Sequence, residues 1–136
     1  MIEFFNEDID FKLPATESIK SWLHQVILHE HHNLGHLNFI FCSDDYLLQI
    51  NGQYLNHHYH TDVITFDLSE SDPEITGDIF VSIDRVKSNA KTLEVEFMDE
   101  LRRVMVHGVL HLLGYDDKSA LQKQEMRKKE EAYLSL

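Results

Sequence analysis

The stretch from about Asp99 to Leu113 constrains this chain more than any other. Leu101, Val104, Met105, Gly108 and Leu112 recur at helical spacing and predict one helix with an apolar face. Two histidines, His107 and His111, stand one turn apart inside it, so both imidazoles share a face and can reach one metal ion. Gly114 predicts the helix end, and Asp117 follows closely enough to fold back over it. The pattern is His-x3-His-x2-Gly-x2-Asp. It offers three protein ligands and leaves a fourth position for water, the layout of a catalytic rather than a structural zinc site. Taken alone, two histidines at this spacing are weak evidence, because ten histidines in the chain give about 0.7 such pairs by chance. The other pair, His32/His36, straddles Gly35 at an expected helix end and has no third ligand. His107/His111 differs in lying within apolar sequence, where an unpartnered polar group is costly. Two core histidines satisfied by protein partners remain the alternative at this level.

The rest of the chain reads as one domain, residues 1–136, with no linker, repeat or low-complexity segment. Ile2–Phe5 predicts a first strand. Thr16 is expected to cap a helix with the apolar stripe Ile19, Trp22, Leu23, Val26 and Ile27, ending near Asn33–Gly35. Leu37–Cys42 reads as a buried strand, and Ser43 as the cap of a short helix through Leu47, Ile50 and Tyr54. A loop at 56–61 leads to strands at Val63–Leu68 and Asp78–Ile83. Asp84 opens a helix through Val86, Ala90 and Leu93, and a last helix covers about Ser119–Leu134, with Leu121, Met126 and Tyr133 on its apolar face. The sum is an α+β (mixed α/β) domain: about four strands in a mixed sheet with flanking helices, and the metal motif on a helix and the turn after it.

Composition bounds the function. The chain has 136 residues, 43% of them hydrophobic, which is too many for disorder. Its single cysteine excludes a disulfide scaffold and a multi-cysteine zinc ribbon and fits a reducing, cytoplasmic compartment. Cys42, in an apolar strand, reads as a small buried hydrophobe. No secretory signal and no membrane span is expected. The net charge of −12 favours a soluble monomer and argues at first against a nucleic-acid partner. However, the charge is uneven. Residues 21–84 hold ten acids and no Lys or Arg, whereas residues 85–136 hold ten bases against nine acids. A polyanion-binding surface would have to come mainly from the last third, where Arg102 and Arg103 are candidates and Lys123, Arg127, Lys128 and Lys129 read as a solvated helix face.

The spacing is similar to that of zinc proteases with His-Glu-x-x-His-x-x-Gly-x-x-His, a zincin-like arrangement. Here Gly108 stands where their Glu base would be, which disfavours peptide hydrolysis. Zinc deaminases need a Cys-x-x-Cys pair, which one cysteine cannot supply.

The segment His107-Gly108-Val109-Leu110-His111-Leu112-Leu113-Gly114-Tyr115-Asp116-Asp117 resembles the signature of the YbeY family of bacterial endoribonucleases, His-Gly-x-Leu-His-Leu-x-Gly-Tyr-Asp-His. Further similarities lie in Ile50-Asn51-x-x-Tyr54, Thr61-Asp62-Val63-Ile64-Thr65-Phe66, Gly77-Asp78-Ile79 and the Met126…Glu130 spacing. The resemblance implies one zinc ion per chain and a single-strand-specific endoribonuclease active in ribosomal RNA processing, notably maturation of the small-subunit RNA three-prime end, and in ribosome quality control. It implies ribosomal RNA and ribosomal proteins as partners, with no DNA and no membrane. Carried over by position, His107, His111 and Asp117 hold the metal. His107 and His111 then act in catalysis through the metal-bound water, and Asp116 lies behind the ligands. Competing readings are a zinc hydrolase of peptide or small-ester bonds and a non-catalytic, zinc-stabilised ribosome-associated factor.

The chain departs from the family pattern twice. Asp117 replaces the third histidine. A carboxylate is an acceptable zinc ligand, but two neutral imidazoles and one carboxylate leave the ion one positive charge lower than three imidazoles would. Leu55 replaces an arginine that directly follows the tyrosine of the Asn-x-x-Tyr segment. His57, His58 and His60 in the following loop are candidates to contact RNA in its place.

Overall fold

The computed structural model describes residues 1–136. Elements follow in the order β1 (Ile2–Asn6), α1 (Thr16–His29), β2 (Asn33–Cys42), α2 (Asp44–Leu55), β3 (Val63–Asp67), β4 (Glu74–Ser82), α3 (Ile83–Leu93), α4 (Phe97–Leu112) and α5 (Ala120–Leu134). The sheet order is β1-β2-β4-β3. The β1–β2 and β2–β4 pairs are parallel and β3–β4 is antiparallel, so β3 forms an edge of a mixed sheet. The expected fold class holds.

Strand alternation sorts the two faces. Leu37, Phe39 and Phe41 of β2 and Ile75, Ile79 and Val81 of β4 enter the main core with residues of α1, α3, α4 and α5. The alternate positions build a smaller cluster, in which Cys42 and Ile64 meet Leu47 of α2, with Phe66 and Phe80 beside them. Each large side chain fully buried this way contributes about 1.5–3 kcal/mol. Cys42 is fully buried, and burial pushes its thiol up to about 12, as befits an inert packing residue.

Several boundaries differ from the sequence reading. Thr16 is the first helical residue of α1 rather than its cap. Ala15 takes the capping position in a left-handed conformation with no side-chain hydrogen bond. α1 ends at His29, not near Gly35, and His31 adopts the left-handed conformation (φ 63°) that reverses the chain. Residues 33–36 join β2, because Asn33 and Leu34 pair with Glu74 and Ile75 of β4 across an irregularity before Leu37. Long-range pairing therefore overrides the local stop signal. α3 is capped by Ser82, whose hydroxyl accepts from the Arg85 amide, and not opened by Asp84. Leu121 is 74% exposed, and the buried positions of α5 are Met126, Glu130 and Tyr133. A glutamate occupies the place expected for an apolar residue, and its partners lie in the site described below.

Candidate metal centre

α4 carries the site. It packs against β3 and β4 on one side and α3 and α5 on others. Gly108 lets it approach the sheet: a Cβ there would lie 2.8 Å from Ile79 Cγ2. The position that holds a base in zinc proteases therefore faces packed sheet in this chain. At the other end, Gly114 has φ 105°, a conformation that suits glycine, and the chain turns back so that Asp117 meets the exposed edge of α4.

Three ligand atoms converge as the spacing predicts. His107 Nε2 and His111 Nε2 are 3.0 Å apart, and Asp117 Oδ2 lies 3.3 Å from the first and 3.6 Å from the second. Tetrahedral zinc bonded at about 2.0–2.1 Å separates its ligands by about 3.3 Å, so the donor set and its spacing fit that ion. Asp116 is not one of the three converging groups; its carboxylate accepts from the Asp117 amide at 3.1 Å and braces the turn.

Behind the ligands lies a chain of buried charges. Glu130 of α5 is 5% exposed, and its carboxylate accepts from His107 Nδ1 at 2.5 Å. A carboxylate can only accept here, so a proton sits on Nδ1 and Nε2 is the ring atom that faces the site. Arg103 donates to Glu130 at 3.1 Å and forks onto Glu100, which is 2% exposed, at 2.8 and 2.5 Å. Burial alone would raise the Glu130 carboxyl, but the His107 hydrogen bond and Arg103 outweigh it and hold it below its ordinary value. His107 is lowered by burial and raised more strongly by Glu130, so it lies above its ordinary value. His111 lacks such a partner; burial and the neighbouring His107 lower it. Burial raises Asp62 above the ordinary carboxylate range.

A second set of bonds fixes the ligand turn. Tyr115 donates to Glu30 at 2.6 Å, Lys129 pairs with the same carboxylate at 3.0 Å, and Tyr133 also donates to it. The end of α1, the turn and α5 thus meet at one half-buried acid.

The triad opens into a groove of about 430 Å³ bounded by the 56–62 loop and β3. His57 and Tyr59 line it, as do Leu55, Asp62 and Asp116. Asn51, 2% exposed, pins the loop: its Nδ2 donates to the Tyr59 carbonyl at 2.9 Å, and its own carbonyl accepts from the His57 amide at 3.0 Å. His58 packs near Gly52 instead, and His60 pairs with Asp44 at 3.2 Å; neither lines the groove. Arg102 is directed elsewhere, 4.5 Å over the Trp22 ring in a separate cavity. Arg103 is engaged with Glu100 and Glu130 as described, behind His107. Sequence reasoning did not assign Glu130, Arg103 or Asn51 these roles. The only signal for Glu130 was its spacing from Met126.

A family model described as Endoribonuclease YbeY matches residues 2–136. A protein of Amoebophilus asiaticus named Endoribonuclease YbeY is 52% identical over 133 residues, covering 98% of this chain and 90% of its own. One of the same name from Cytophaga hutchinsonii is 51% identical over 135 residues, covering 99% and 94%. A solution structure of a Thermotoga maritima protein superposes with a TM-score of 0.68 at 32% identity, covering 99% of this chain and 87% of the other.

Proposed function

The chain belongs to the YbeY endoribonuclease family, and from that premise we propose that it is a zinc-dependent endoribonuclease cutting single-stranded RNA. Its substrate in this reading is ribosomal RNA, with maturation of the small-subunit three-prime end and ribosome quality control as its tasks. The observation that carries the reading is the convergence of His107, His111 and Asp117 at the floor of an open groove. When bound there, zinc supplies a Lewis acid and a water acidified to a pKa of about 7.

The chain's own residues set the conditions. His107 and His111 would hold the ion through their Nε2 atoms, and Asp117 would supply the third donor and a negative charge. Glu130 holds the Nδ1 proton of His107, and Arg103 holds Glu130. Asp62 lines the groove beside the triad, held by Asn89, which donates to it at 3.2 Å, and by Arg103 at 3.7 Å. No helix is long and apolar enough to cross a membrane. A cytoplasmic monomer acting on ribosomal particles agrees with that and with the acidic body.

Metal analysis and RNA cleavage by wild type and His111→Ala, purified in parallel, test the reading. One zinc per chain and cleavage that vanishes in the variant support it. Cleavage that persists in the variant is contaminating nuclease and counts against it.

A further inference from the structure

The triad lies between two cavities of opposite character, and two of its members line both. On one side is the groove already described, where the only lysine or arginine is Lys118. Here the notable side chains are rings. His57 and Tyr59 stack with centroids 5.3 Å apart and planes 18° from parallel, and Tyr59 is 58% exposed. Asn51 fixes the backbone at both residues, so this pair is presented on a pinned loop. On the other side is a smaller cavity of about 190 Å³ that shares His107 and Asp117 with the groove and is lined by Lys123 and Arg127 of α5. Both cations are exposed. Lys129 is paired with Glu30 and Arg103 with Glu100, but Lys123 and Arg127 have no acidic partner within ion-pair distance.

We propose that one RNA strand crosses the metal triad from side to side, an unpaired base stacking on Tyr59 and His57 and the backbone phosphates beyond the triad meeting Lys123 and Arg127. This rests on the endoribonuclease reading and names how its substrate is held. Rings accept any unpaired base, because every base has a π-face, whereas a paired base in a helix is already stacked. The cations neutralise phosphates without reading sequence. The net charge of −12 disfavours RNA on the rest of the surface, which confines binding to this path. The loop supplies by stacking what Leu55, standing beside it in the groove, cannot supply by charge.

The test is a titration in chelator, where cleavage does not compete, of a short single-stranded oligoribonucleotide carrying 2-aminopurine, repeated at several salt concentrations. Tyr59→Ala should weaken binding about tenfold and abolish the fluorescence quenching of stacking, and Tyr59→Phe should restore both. The double variant Lys123→Gln/Arg127→Gln should keep the quenching but flatten the slope of log affinity against log salt by about 1.4. Circular dichroism confirms that these surface variants are folded. Wild-type affinity and quenching in Tyr59→Ala, or an unchanged slope in the double variant, overturns the path. A wild-type protein that binds as stated yet cleaves no RNA once zinc is restored overturns the endoribonuclease reading and leaves the path standing.

Discussion

His107 and His111 on α4 and His57, His58 and His60 on the loop are the same residue type within one small domain, yet they are held in opposite ways. The helical pair is set by packing on Gly108, by the turn at Gly114 and by the Glu130–Arg103–Glu100 chain. The loop histidines lie outside regular structure and depend on Asn51, on a ring stack and on one ion pair with Asp44. A ligand must be placed to within a fraction of an ångström, so it sits on a braced helix. A contact to flexible substrate tolerates looser placement and sits on a loop.

The largest break in this comparison is loss of a ligand. His107→Ala should reduce zinc content and RNA cleavage to background; retained zinc at one ion per chain would move the site elsewhere. Removing the support comes next. Arg103→Met leaves Glu100 and Glu130 buried without their cation, and denaturant unfolding should show a loss of about 3 kcal/mol. Glu130→Gln should weaken zinc affinity by about 10–100-fold in competition with a chelator. Equal affinity would mean that Glu130 serves only packing. Smaller again is a pH effect at the brace. Burial raises the Glu30 carboxyl, but hydrogen bonds from Tyr115 and Tyr133 and the Lys129 pair hold it below its ordinary value. Its contribution to stability is therefore present above the ordinary carboxylate value and lost as pH falls through the lowered one. Melting curves of wild type and Glu30→Gln should differ near neutrality and converge in acid. The smallest effect is expected in the loop, where replacing His57, His58 and His60 by Gln should change stability by no more than about 0.5 kcal/mol while weakening RNA cleavage. Unchanged cleavage would remove the loop from the substrate site.

Asp117 sharpens the comparison from the other direction, since it is the proposed ligand on a turn. Asp117→His returns one positive charge to the bound ion and should shift the acid limb of the pH–rate profile to lower pH. Superimposable profiles would show that the third ligand does not set that charge.

What could be seen in the sequence was local. The α4 periodicity, the histidine spacing, Gly114 and the Ser43 cap all act within a turn or two, and each formed as expected. Gly35 misled because its setting is decided by Thr76 and Ile75 on a strand forty residues later. Glu130 was illegible for the same reason. In the sequence it reads as one more charge in Lys128-Lys129-Glu130-Glu131, and only the packing of α5 on α4 makes it the partner of His107. Arg102 and Arg103 are neighbours in sequence, yet one caps an indole and the other anchors buried acids. Adjacent helical positions face about 100° apart, so a basic dipeptide does not make a basic patch.

The buried acid of α5 also imposes an order on the protein's birth. A chain synthesised only as far as the end of α4 already contains both histidines, but His107 has no carboxylate to fix its proton until residue 130 has followed. Tyr115 and Glu30 likewise wait for Lys129 and Tyr133 to close the brace around the ligand turn. The proposed metal site is therefore fully braced only once α5 has packed, so an unfinished or C-terminally clipped copy would carry the histidine motif without the contact that fixes His107.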